Sequence, residues 1–527
     1  MLVPIPAPVQ TTATQIAIAP SESTPQPSIP NLGNNQEGKI NPVENPTSLP
    51  RNQVSSVDSS ITSQSPNANT NIQSSAENSA SLPNSPEPSS TAITRPINTD
   101  SGSSFSNTTL GYGGKIDGAF QGNDIGRMVW NIEQMRNSEF ENYLGIKSTL
   151  SERENGIYGI QNALKSLSVV PGKPSAIIYI VVRNEQLELI LVPPEGEPIR
   201  KSLPEARREV LLPVVKEFRE EITNPRKRGS TNYRRSAQQL YQWMIAPLEG
   251  DLKRLKLKIL LFSLDPGLRS IPIAALMDGE RFLIDKYSFS LIPSFSLTDT
   301  NYSSLADAQL LAMGASEFKE YKSLPAVPAE LHNLTTEWGG SPFLNSTFTL
   351  ENLNLQRNAR RFRMIHLATH AEFLPGIRSN SYILFWNGKL HLDQMNAVGW
   401  KKPQVDLLVL SACKTALGDR EAELGFGGLA VQAGVKSALA SLWYVEDEGT
   451  LSLMTEFYQQ LKVFSTKAES LQQAQVSMLR GNVRIENGNL VSDGMVFPLP
   501  PQLRRSGSVN FTHPFYWSGF TMVGSPW

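Results

Sequence analysis

The chain has 527 residues, room for about three average domains, with 48 basic and 49 acidic side chains and a net charge of −1. That balance argues against a general nucleic-acid binder, and a single cysteine excludes an internal disulfide framework or a cysteine-based zinc site. No apolar run approaches the roughly eighteen residues that would suggest a membrane span.

In chain order, residues 1–104 are dominated by Ser, Thr, Pro, Asn and Gln. Such a segment buries too little apolar surface to offset its ordering entropy, which predicts a long disordered tail. Its opening stretch lacks the basic and continuous apolar regions of a secretory signal, which favours a cytoplasmic location without fixing the compartment. Residues 105–170 are expected to be linker and then a helical lead-in, with Met128, Ile132, Met135, Phe140, Tyr143 and Leu144 at helix-like spacing. A globular domain is expected over 171–527. Its first part, 171–250, opens with a hairpin of Ser175–Val182 and Gln186–Val192, followed by helices over Leu203–Glu221 and Asn232–Ile245.

Residues 251–527 alternate strand and helix patterns, as βαβ units do. Strands are predicted in LKILLFSL, MDGERFLIDKYSFSLIPS, AQLLAMGA, RFRMIHLAT, QVDLLVLSA and VKSALASLW. Helices are predicted over Ala329–Glu337, Thr349–Asn358, Leu424–Ala433, Gly449–Leu461 and Lys467–Leu479. Asn387-Gly388, flanked by alternating apolar residues, predicts a hairpin with a type I′ turn.

Two of these strands end in chemistry. VDLLVLSAC runs from Val405 to Cys413, and RMIHLATH from Arg363 to His370. A lone cysteine commonly fills a core gap, but the last residue of a strand entering a polar loop is half exposed. The carboxyl ends of parallel strands form the ligand crevice of an open sheet. If the two strands are neighbours, a thiol and an imidazole arrive there together, as a Cys–His nucleophile requires. A histidine some fifty residues before a single cysteine is also the caspase-type arrangement.

His366 and His370 are four apart on a strand, roughly 13 Å, too far to share a metal ion; no metal site is expected. His366 reads as a buried, hydrogen-bonded support, and His332, His391 and His513 as structural or surface residues. GFGGLA, Gly425–Ala430, suits close helix packing better than a phosphate cradle. Arg226, Lys227, Arg228, Arg234 and Arg235 read as a solvated basic loop.

HLATHAEF (His366–Phe373), LLVLSACKTALGD (Leu407–Asp419), GLAVQAGVKSALASLW (Gly428–Trp443) and HPFYWSGFTMVG (His513–Gly524) resemble the CHAT domain family, in the same broad clan as caspases and separases. The segment Leu261–Ser294 resembles the family's N-terminal core. The resemblance implies an α/β fold: a caspase-like, mostly parallel central sheet covered by helices on both faces, here with its core over 251–527. It implies a cysteine endopeptidase with Cys413 as nucleophile and His370 as general acid/base, acting on a protein or peptide without a cofactor. The backbone N–H groups of Cys413 and Ala371 would form the oxyanion hole, with alanine where many relatives have glycine. Asp447 matches an aspartate that holds a basic P1 side chain in separase-like relatives, and Glu446 is expected to bind substrate with it, with Glu448 as a further acidic neighbour. A regulatory protein partner is also expected, because such domains are commonly controlled by sensor modules. The competing reading is a catalytically silent CHAT module that acts as a protein-interaction scaffold.

Overall fold

In the computed structural model, residues 118, 120, 122–147, 150–169, 172–415, 419–504 and 506–527 are described; the tail expected over 1–104 lies outside them. The apolar runs pair into one thirteen-stranded sheet. Its first strands are β1 (Ser175–Val182), β2 (Leu187–Val192), β3 (Ile199–Leu203), β4 (Ile259–Leu264) and β5 (Ser288–Leu291). Then come β6 (Leu310–Gly314), β7 (Phe343–Leu344), β8 (Met364–Phe373), β9 (Tyr382–Phe385), β10 (Gly388–His391), β11 (Leu407–Thr415) and β12 (Ser437–Ser441). A separate four-stranded sheet holds β13 (Arg484–Glu486), β14 (Asn489–Ser492), β15 (Met495–Pro498) and β16 (Ser508–Asn510). The chain then returns to the main sheet as β17 (Phe520–Gly524).

Across the main sheet the order is β10-β9-β8-β11-β12-β17-β5-β4-β1-β2-β3, with β6 and β7 added beside β8. Pairs β1–β4, β4–β5, β5–β17, β6–β7, β6–β8, β8–β11 and β11–β12 are parallel. The antiparallel pairs are the edge hairpins, together with β8–β9 and β12–β17. The fold is therefore mixed α/β around a mostly parallel sheet.

The longer helices are α1 (Ile125–Leu144), α2 (Ile157–Val169), α3 (Arg208–Thr223), α4 (Tyr233–Met244) and α5 (Ala246–Arg254). They continue as α6 (Val327–Trp338), α7 (Leu350–Ala359), α8 (Arg420–Ala433), α9 (Asp447–Val463) and α10 (Lys467–Leu479). Side chains alternate across a strand, and β1 separates two cores this way. Ile177, Tyr179 and Val181 pack with Met128, Val129 and Ile132 of α1 and Ile160 and Leu164 of α2. Ala176, Ile178, Ile180 and Val182 join a second core with Leu211, Val215 and Phe218 of α3 and Leu240 and Met244 of α4. A strand covered on both faces must be apolar at every position, and SAIIYIVV is buried throughout.

Three details differ from the expectations. β8 and β11 do not stop at His370 and Cys413 but continue to Phe373 and Thr415, because the backbone pairing carries on through Thr415↔Phe373. The hairpin at Asn387-Gly388 forms, yet Gly388 pairs with Phe385 and the loop is Trp386-Asn387. The left-handed conformations of a type I′ turn are absent there. The Trp386 N–H is instead fixed on the Phe348 carbonyl at 3.0 Å. Left-handed pairs do occur at Asn487-Gly488 (φ 51° and 76°) and Asp493-Gly494 (φ 43° and 86°), which close the two hairpins of the small sheet. That sheet was not anticipated.

Candidate active site

β8 and β11 are adjacent and parallel, and Cys413 lies opposite Ala371. A register shift between Ser411 and Cys413 adds one residue on the β8 side, within Thr369–His370. The backbone thus sets the cysteine beside the His370–Ala371 pair. β11 pairs with β12 only as far as Val409↔Leu439, so Cys413 lies beyond the end of that ladder. Ala371 is bracketed by Cys413 on one side and Ile383 of β9 on the other. Its backbone is within the sheet rather than on a loop.

His370 is half-buried. Its Nε2 lies 2.8 Å from the Lys322 carbonyl. A carbonyl only accepts, so Nε2 carries the proton and Nδ1 is left as the basic nitrogen. Phe318 and Tyr321 flank the ring at 4.8 and 5.5 Å between centroids. Burial among them lowers the imidazole pKa, opposed by the Lys322 carbonyl and by Glu372. The ring is therefore neutral near pH 7, with a free lone pair. Glu372 accepts from the Tyr382 hydroxyl at 2.8 Å, which lies 3.1 Å from that of Tyr321.

The acidic trio opens α9, where the helix dipole favours negative charge. Asp447 accepts from the Ala326 N–H at 2.5 Å. Burial pushes its carboxyl up to about 7; Glu330 and Glu448 add to this, while Ala326 and Lys322 oppose it. Glu446 is engaged by Arg228, which also reaches the Tyr516 hydroxyl at 3.0 Å. It is thus committed to an ion pair on that side rather than presented as a free carboxylate. Glu448 is buried.

His366 is fully buried, with Nδ1 3.2 Å from the Tyr458 hydroxyl and Nε2 2.9 Å from Glu330. It ties β8 to α9 and α6. Among the described residues, no group of three His, Cys, Asp or Glu side chains is arranged to hold a metal ion.

The sequence reading missed one element, the segment from Ser316 to Ala326 that follows β6. It supplies Phe318 and Tyr321 against His370, the Lys322 carbonyl on Nε2, and the Ala326 N–H on Asp447. The available signal was topological: a loop leaving the carboxyl end of a parallel strand lines the crevice.

Residues 234–525, more than half of the chain, match the CHAT domain family. The chain belongs to that family. Among solved structures, this CHAT protein is similar to separase in the Saccharomyces cerevisiae separase–securin complex, at 10% identity and a TM-score of 0.44, covering 76% of this chain and 33% of that one. It thus spans about a third of the separase chain. It is also similar to RgpB of Porphyromonas gingivalis, at 10% identity and a TM-score of 0.33, covering 60% of this chain and 77% of that one. The comparison with curated proteins found no match.

Proposed function

We propose that this CHAT domain is a cysteine endopeptidase whose nucleophile is Cys413 and whose general acid/base is His370. The observation that carries the reading is the register of β8 and β11, with Cys413 opposite Ala371 and His370 held as the Nε2–H tautomer. The neutral imidazole takes the thiol proton at Nδ1 as the sulfur attacks the scissile carbonyl carbon. It then returns that proton to the leaving amine, and water hydrolyses the thioester by the same exchange in reverse. The Cys413 N–H is the first oxyanion donor, and the N–H of Ala371, opposite it in the register, is the second. Asp447, ionised by a cationic partner, receives an Arg or Lys side chain at P1. Glu446 is assigned no substrate contact, since Arg228 already holds it.

The test is a thiol-reactive peptide probe with Arg at P1, combined with turnover of a peptide library. Wild type should be labelled and active. Cys413→Ala should be neither, with its melting temperature within a few degrees of wild type, and His370→Ala should lose turnover. Full turnover in either variant would sink the peptidase reading. A wild type inert toward all peptides, yet retained by a protein partner, would favour the scaffold.

A further inference from the structure

The loops after β4, β5 and β8 and the first turn of α8 are tied to a single helix that the family match does not reach. α1, Ile125–Leu144, lies upstream of residues 234–525. With 20 residues it is about 30 Å long, and it meets one loop after another. Glu133 accepts from the Phe295 and Ser296 N–H groups, after β5, at 3.0 and 3.4 Å. Arg136 pairs with Asp265, which follows β4 and also accepts from Val182 N–H at the end of β1 at 2.6 Å. Glu139 accepts from Arg269 at 2.5 Å and from Arg420 at 3.0 Å. Arg420 opens α8, the helix that follows Cys413 in the chain. At the far end, Arg378, in the loop after the strand of His370, donates to the Leu144 carbonyl.

These contacts tolerate little movement. Burial would raise the Glu139 carboxyl, but Arg269, Arg136 and Arg420 outweigh it and hold it down at about 2. Gly425 on α8 lets the Tyr143 and Ser381 hydroxyls converge: an added Cβ would lie 3.0 Å from the first and 3.4 Å from the second. Gly428 admits Leu144, whose methyls would lie 2.9 Å from a Cβ there. Glu133 and Arg136 thus serve the β1–β4–β5 side, Glu139 joins that side to the start of α8, and the Leu144 end meets the loop that follows the strand of His370.

We propose that α1 carries positioning groups for the Cys413–His370 site: Glu139, acting through Arg420, and the Leu144 carbonyl, acting through Arg378. This rests on the reading of Cys413 and His370 as one site. A thiol served by a base reacts at lower pH than a free thiol, and a shift of one unit in its pKa changes the thiolate fraction about tenfold.

Cys413 is the only cysteine, so alkylation by iodoacetamide reads the site without a known substrate. The pH profile of that rate should move toward the free-thiol range in His370→Ala, and in the same direction in Arg420→Gln, Arg378→Gln and Glu139→Gln. Adding Arg420→Gln to His370→Ala should shift it no further. Glu133→Gln, also buried but nearly two turns earlier on α1 and facing the loop after β5, is the control: it should lower the melting temperature and leave the profile in place. If Glu139→Gln does not fold, the partly exposed Arg420 still carries the test. A profile that His370→Ala shifts while Arg420→Gln and Arg378→Gln do not overturns the positioning role and leaves the dyad standing. A profile that none of them shifts overturns both. Equal shifts in Glu133→Gln and Arg420→Gln reduce α1 to a general brace and also overturn the proposal.

Discussion

Asp447 shows how one burial decides two pH dependences. Its carboxyl, ordinarily at 3.8, is pushed up to about 7, so between those values the folded chain holds a proton that the unfolded chain releases. This group's contribution to stability therefore falls as pH rises from about 4 to about 7. Asp447→Asn should flatten that part of the melting-temperature profile. On the proposed P1 role of Asp447, recognition of a basic side chain runs the opposite way, because only the carboxylate pairs with a guanidinium. The preference for Arg over a neutral P1 residue should grow as pH rises through about 7. In Asp447→Asn, Arg turnover should fall at least tenfold, in line with the roughly 2–5 kcal/mol of a close charged pair. An Arg preference unchanged between about pH 6 and 8, or unchanged in the variant, would place the specificity pocket elsewhere. The position of Asp447 was legible from the motif after β12. Its protonation was not, because that depends first on burial and then on Ala326, Glu330 and Lys322, which are distant in sequence.

At the scale of elements, the apolar strands were the most legible part. LKILLFSL, AQLLAMGA and QVDLLVLSA each contain a strand because burial on both faces leaves a continuous apolar run that no loop has. Helix starts were less legible. α8 begins at Arg420, four positions (424 − 420) before the expected Leu424, because Asp419 accepts the Ala422 N–H at 3.0 Å and caps a charged first turn. Apolar spacing does not register such a turn. The small β13–β16 sheet was missed although Asn487-Gly488 and Asp493-Gly494 are strong turn pairs. Its strands are only three or four residues long, too short for alternation to stand out. Gly314 marks a close approach between the paired strands β6 and β8, under Val327 of α6. A Cβ there would lie 2.5 Å from the Ala368 carbonyl and 3.0 Å from a Val327 methyl. Gly314→Ala should therefore destabilise the fold by about 1–3 kcal/mol, the usual cost of overpacking. It should also disturb β8 just before His370, slowing Cys413 alkylation more than an equally destabilising substitution in β1. An unchanged denaturation midpoint would mean that the close approach relaxes freely.

For the whole molecule, the notable feature is how the sheet ends on its β3 side. β3 forms one margin and carries Arg200, Lys201 and Ser202, polar groups that discourage a second chain from adding a strand. β4, by contrast, is an interior strand, buried throughout, whose outer ladder is satisfied by β1. The span that identifies the family opens within α4 and so leaves out β1, β2, β3 and α1. A fragment cut to residues 234–527 should expose the β4 ladder and strip Asp265 and Arg269 of Arg136 and Glu139, and it should aggregate. A fragment covering 118–527 should remain monodisperse and unfold cooperatively. A soluble, cooperatively melting 234–527 fragment would show that β1–β3 and α1 are accessories. Recognition and folding should thus have different borders in this chain: the stretch by which its kinship is known is expected to lose its shape on its own, since an excision guided by kinship alone turns an inner seam of the sheet into an exposed edge.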